Sequence, residues 1–158
     1  MALTCSVRIR GSQQDVFDAI SDLENAADRI KAINKVEVLT EGPVGKGTRW
    51  RETRTMFGKE CTEEMEITEF DSPNGYRVGA DSCGCHYDSS FSVRPDGDET
   101  VVEMSFRAIP TSIKGRLMMP MGFLMQGMMK KMVRQDLEDL KAHVEGGGSA
   151  PQTSAQPA

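Results

Sequence analysis

Basic charge is scarce in this sequence, and so are the residues that staple small domains. Nineteen Lys and Arg stand against 24 Asp and Glu, a formal net charge of −5. That excludes the broad basic footprint of non-specific nucleic-acid binding, so no nucleic acid is expected as a partner. There are four cysteines, Cys5, Cys61, Cys83 and Cys85, and two histidines. Cys83-Gly84-Cys85-His86 looks like a metal-binding fragment, but structural zinc needs four ligands, usually in two separated pairs. No Cys-x-x-Cys or His-x-x-x-His exists; the expectation is a hairpin turn with idle thiols, no metal and no cofactor. No apolar run reaches the roughly 18 residues of a membrane span. The opening MALTCSVRIRGSQQD has no apolar stretch ahead of a cleavage site, so it does not read as a secretory leader, and a cytoplasmic location with reduced thiols is expected. There is no internal repeat.

What remains is ordinary in amount and uneven in distribution. A chain of 158 residues, 38% hydrophobic and 27% charged, suits one folded domain with a core large enough to contain a pocket. It divides into a domain over 1–145 and a Gly/Ser/Pro-rich tail over 146–158, expected to be disordered. Leu3, Cys5, Val7 and Ile9 alternate with polar residues, the pattern of a half-buried strand. Ser12, three residues before Asp15, opens a helix carrying Val16, Phe17 and Ile20, and a short helix follows near Glu24–Ile30. From Lys35 to Pro110 the period is two, and turn signals recur at Glu41-Gly42-Pro43, Phe57-Gly58, Asp71–Gly75, Cys83-Gly84 and Asp96-Gly97, which predicts antiparallel strands in hairpin succession. Beyond Pro110 the period is 3.6: Met118, Met125, Met129, Val133, Leu137, Leu140 and Val144 form one stripe of a long helix, with Gly115, Pro120 and Gly122 predicting a kink in its first part.

This order, with VFDAISDLEN, GKGTRWRETR, EITEFDSPNGY and the final amphipathic helix, resembles the polyketide cyclase/dehydrase and lipid-transport families of the START-like (SRPBCC) superfamily. The resemblance spans about Leu3 to Val144. It implies an α+β helix-grip fold, a curved seven-stranded antiparallel sheet in the order β-α-α-β6-α wrapped around the C-terminal helix, with a hydrophobic cavity between them. It brings no catalytic motif.

Charge fixes the strand register. If Phe57-Gly58 is a hairpin turn, Arg51 opposes Glu64 and Arg49 opposes Glu66 on one face, while Trp50 meets Met65 on the other. Trp50, Glu52, Arg54, Cys61, Glu63, Met65 and Ile67 then point inward. Turns at Cys83-Gly84 and Asp96-Gly97 pair Ala80 with Tyr87, Val78 with Ser89, Tyr76 with Phe91, Phe91 with Val102, Ser89 with Met104 and Tyr87 with Phe106. Two inner rows result: Trp50, Met65, Val78, Ser89 and Met104, then Glu52, Glu63, Ala80, Tyr87 and Phe106. Two carboxylates facing a core cannot both ionise cheaply, so one must be raised or Arg54 must neutralise them. The candidate cavity comprises Trp50, Glu52, Arg54, Glu63, Met65, Val78, Tyr87, Ser89, Phe91, Met104 and Phe106 and, from the Met-rich helix, Leu117, Met121, Met125 and Met128.

Three functions fit. The first is binding of a hydrophobic or amphipathic small molecule (lipid, isoprenoid or aromatic polyketide-like) as carrier or sensor, with Glu52, Arg54, Glu63 and Tyr87 holding its polar head. The second is cyclase/dehydratase-type catalysis by the same carboxylates and tyrosine. The third is an interaction module whose segment 117–129, apolar on nearly every side, transiently touches a membrane or a protein.

Overall fold

The computed structural model describes residues 2–147, so the expected tail lies, from residue 148 on, outside the described residues. Strand β1 (Ala2–Arg10) alternates buried and exposed along its whole length, as its sequence requires. Helix α1 (Gln13–Ser21) begins at Ser12, whose hydroxyl accepts from the Asp15 backbone N–H at 3.1 Å, filling one of the donors a helix start leaves open. Helix α2 (Ala26–Arg29) is a single turn. Six strands follow: β2 (Ile33–Val38), β3 (Arg49–Met56), β4 (Lys59–Asp71), β5 (Gly75–Ser82), β6 (Cys85–Asp96) and β7 (Glu99–Pro110). They form one antiparallel sheet in the order β1-β7-β6-β5-β4-β3-β2, closing as consecutive hairpins with β1 added beside β7.

The C-terminal helical region is two helices, α3 (Ile113–Leu124) and α4 (Gln126–Glu145), meeting at Met125. Pro120 lies inside α3, where it has no N–H to donate, and the division falls at Met125, beyond Gly115, Pro120 and Gly122, where a kink is expected. Only α4 carries a buried stripe, Val133, Leu137 and Leu140, which packs with β1, α1 and the inner sheet face into one core. This is the expected α+β helix-grip arrangement, with the C-terminal helix divided.

The β3–β4 register is the one the charges demand: Arg51 opposes Glu64, Trp50 opposes Met65 and Glu52 opposes Glu63. On the outer face Arg51 Nη2 lies 2.6 Å from Glu64 Oε1. The Phe57-Gly58 and Cys83-Gly84 turns have positive φ at both central residues, as type I′ hairpins need. Two registers differ from expectation. In β6–β7 the loop is Gly97-Asp98, with Gly97 at φ +62°, so Phe91 opposes Met104, Ser89 opposes Phe106 and Tyr87 opposes Ala108. A glycine in the first central position suits a type II′ turn, and moving the loop one residue on shifts every partner by two while leaving each side chain on its face. In β4–β5, Val78 opposes Ile67 rather than Met65, and Ala80 is not opposite Glu63; the pairing shifts between Ile67 and Glu69. This bulge turns Thr68 and Glu69 outward together and brings Phe70 back to the core. It lies beyond Glu52 and Glu63, which stay inside.

Candidate ligand cavity

Between the sheet and α4 lies a cavity of about 450 Å³. Its sheet wall takes Trp50, Met65, Val78, Ser89, Phe91, Met104 and Phe106, its helical wall Met121, Met125, Met129 and Met132. Alternation places the first set: each points to the sheet face that α4 covers. Tyr76 and Phe91 stack with centroids 4.9 Å apart on the cavity wall, and behind them Phe17 meets Phe70 edge-on at 5.4 Å in the core. The Tyr76 hydroxyl donates to the Ile20 carbonyl at 2.9 Å, tying α1 to the sheet; burial pushes that phenol well above its ordinary value. Tyr87 lines the cavity farther along and stacks on Phe106 at 5.7 Å.

A cluster of charged side chains from β3, β4 and α4 interrupts this largely apolar wall. Arg54 Nη2 donates to Asp136 Oδ2 at 2.6 Å, and Arg54 Nε lies 3.7 Å from Glu52 Oε1. Glu63 stands across the strand pair from Glu52 and also lines the cavity. Burial pushes the Glu52 carboxyl above its ordinary value. Arg54 and a hydrogen bond from Trp50 offset this only in part, and Asp136 and Glu63 add to it. Burial likewise raises Asp136 against the pull of Arg54. The Arg54 guanidinium is also desolvated, but Asp136 and Glu52 outweigh that and hold it above its ordinary value. Arg54 Nε and Asp136 Oδ1 are buried and lack hydrogen-bond partners among the described residues. Burial raises the Tyr87 phenol too, with Cys85 and Glu63 adding. Carboxylates thus outnumber the cation, and burial raises both Glu52 and Asp136 beside it.

Thirteen of the fifteen residues expected here line the cavity; Leu117 and Met128 do not. Leu117 is 82% exposed and Met128 53% exposed. Both belong to a stretch that is apolar all round, so periodicity could not say which side faces in. Sequence reasoning missed Asp136 and Arg29. Asp136 sits three residues after Val133 and four before Leu140, inside the apolar stripe of α4, and an acid at core spacing was the available signal. Arg29 is buried on α2 and paired to Asp22 at 3.2 Å; a one-turn helix offers no periodicity to reveal it. His86 lies on the other sheet face, its Nδ1 2.8 Å from Asp81 Oδ1, whereas Cys83 and Cys85 line the cavity.

The mouth is marked by residues that both line the cavity and meet solvent: Phe57 at the β3–β4 turn, and Met118, Met119 and Met121 of α3. A hollow, largely apolar interior with a charged patch and an apolar rim is common to many carriers and enzymes; kinship has to come from the whole chain. Residues 2–145 match the family described as polyketide cyclase/dehydrase and lipid transport. The chain belongs to that family. No curated protein matches it. Among solved structures, a protein of Thermus thermophilus is similar at 24% identity and a TM-score of 0.76, over 94% of this chain and all of that one (100%). An aromatase/cyclase, Zhui, of Streptomyces sp. R1128 superposes with a TM-score of 0.72 at 15% identity, over 96% of this chain and 98% of that one. A START superfamily protein of Mycobacterium smegmatis gives 0.66 at 16% identity, over 92% and 95%. These identities establish a shared fold for this family member. No helix among the described residues is long and apolar enough to cross a membrane.

Proposed function

We propose that this chain reversibly binds an amphipathic small molecule of the lipid, isoprenoid or aromatic polyketide-like kind, as a carrier or sensor. The apolar body lies between the sheet and α4, and the polar head meets Arg54, Glu52, Glu63 and Tyr87. The supporting observation is the patch of Arg54, Glu52, Glu63 and Asp136 on the largely apolar wall of a cavity of about 450 Å³. Each 100 Å² of apolar ligand surface buried there is worth about 2.5 kcal/mol before association costs, so affinity needs no dedicated motif, and the patch sets orientation. The exposed stretch 117–129 at the mouth is, in the same reading, where the protein transiently meets whatever donates or accepts the ligand.

Native mass spectrometry of the purified protein, followed by denaturation and identification of released compounds, tests this. A stoichiometric compound with an apolar body and a polar head is expected. An empty protein that also fails to take up a fluorescent acyl probe sinks the proposal.

A second reading, cyclase- or dehydratase-type catalysis, is favoured by the raised Glu52 carboxyl inside the cavity. Glu52→Gln separates the two. For a carrier it retunes affinity and removes no chemistry; for an enzyme, turnover of the released compound collapses while affinity holds within a few fold.

A further inference from the structure

We infer that α3 and the first turns of α4 dock on an anionic lipid bilayer, with the cavity mouth facing the membrane. The inference rests on the ligand-binding reading only for what passes through the mouth; docking itself stands on surface chemistry. Ile113, Leu117 and Leu124 are each more than four-fifths exposed, and Phe123 is 68% exposed. Large aliphatic and aromatic side chains this open to water, contiguous along one helix, are costly to leave uncovered. They adjoin Met118 and Met121, which line the cavity as well, so one apolar surface runs from outside to inside.

Charge selects the occupant. Between Ile109 and Gln135 the chain holds five cations, Lys114, Arg116, Lys130, Lys131 and Arg134, and no acid. The whole chain totals −5, so the rest carries −10. All five cations are exposed, and among the described residues none forms an ion pair, whereas Arg8, Arg29, Arg51, Arg54 and Arg77 all do. A second copy of the chain is a poor partner: an isologous contact sets the same patch against itself and brings ten uncompensated cations together. An anionic bilayer complements both features, since headgroups meet the ammonium and guanidinium groups while Leu, Phe and Ile enter the acyl boundary. The acidic remainder of the molecule is repelled by such a surface, which orients the mouth toward it.

Flotation of the full-length protein with phosphatidylcholine vesicles, with and without phosphatidylglycerol, tests this, alongside sedimentation of the protein alone. Association with the phosphatidylglycerol vesicles only, weakening as salt rises, is expected. Lys130→Gln with Lys131→Gln should weaken partition roughly thirtyfold, at about fivefold per lost cation. Leu117→Glu with Leu124→Glu should abolish it. Neither pair lines the cavity, so both variants should melt like the parent and take up a fluorescent acyl probe from solution as the parent does. Loss of probe uptake in the parent would count against the ligand reading while leaving flotation to judge docking. Failure of the parent to float with anionic vesicles, equal flotation with neutral ones, or a stable dimer that buries the patch would overturn the inference.

Discussion

Glu52 is a carboxyl that water hardly reaches, its side chain 13% exposed, with a guanidinium nearby but not hydrogen-bonded to it. Burial holds its pKa above the ordinary value in the fold. Between the ordinary value and the raised one, the folded state retains a proton that the unfolded state has lost. The contribution of this group to stability is therefore greatest at acid pH and falls as pH rises through that window. Glu52→Gln removes the desolvated charge and keeps the shape. It should stabilise the protein by about 1 kcal/mol at pH 8, with the gain vanishing toward pH 4, as urea denaturation at the two pH values will show. A loss of similar size at pH 8 would mean that attraction to Arg54 outweighs burial. Arg54→Met acts the other way. It strips the cation from Asp136 at 2.6 Å and from Glu52, and should cost about 2–3 kcal/mol at pH 8 and less at pH 5, where the stranded carboxyls take up protons.

At the scale of elements, hairpin chemistry and alternation made most of the sheet legible. The β3–β4 register could be read because two opposite-charge pairs on one face and Trp50 with Met65 on the other agree on a single pairing, and a one-residue slip spoils all three. The β6–β7 register was misplaced by two because Asp96-Gly97-Asp98 offers two equally short loops; facing survived, partners did not. The bulge in β4 has no sequence signature at Thr68, yet it decides which β5 residue sits beside Ile67. Cavity residues on the sheet were thus readable, whereas those on α2 and the charged position of α4 depend on how helices dock. The docking of α3 turns on one glycine. The Gly84 carbonyl accepts from the Thr111 N–H at 3.0 Å, the Thr111 hydroxyl at 3.1 Å and the Ser112 hydroxyl at 3.2 Å. Gly115 packs so closely that a Cβ there would stand 2.2 Å from that same carbonyl oxygen. Gly115→Ala should therefore lift α3 off the β5–β6 turn at a cost of about 1–3 kcal/mol. Hydrogen exchange should quicken in α3 and leave α4 and the sheet protected; uniform acceleration, or none, would place the anchor elsewhere.

The whole molecule is divided between a packed half and a hollow one. Ile9, Val16, Phe17, Val93 and Val102 are almost wholly buried where β1 and α1 meet the sheet, while toward α3 the inner sheet face meets adaptable methionines across open space. A chain of this length buries a modest core, and a cavity of about 450 Å³ gives up contacts that packed side chains would make. Stability and ligand capacity should therefore trade against each other at a position that faces the void without belonging to the charged patch. Ser89 is such a position, mid-strand between Val78 and Phe106. Ser89→Leu should raise stability by about 1 kcal/mol and weaken uptake of an apolar probe by about tenfold, since about 1.4 kcal/mol of lost ligand contact amounts to that factor. Thermal melting and probe titration on one sample measure both. If the variant melts higher and binds as before, the ligand lies away from mid-sheet, toward the mouth. If it melts lower and binds as before, the wall around Ser89 has already closed on itself, and the working volume is the part bounded by Arg54, Glu52 and α3.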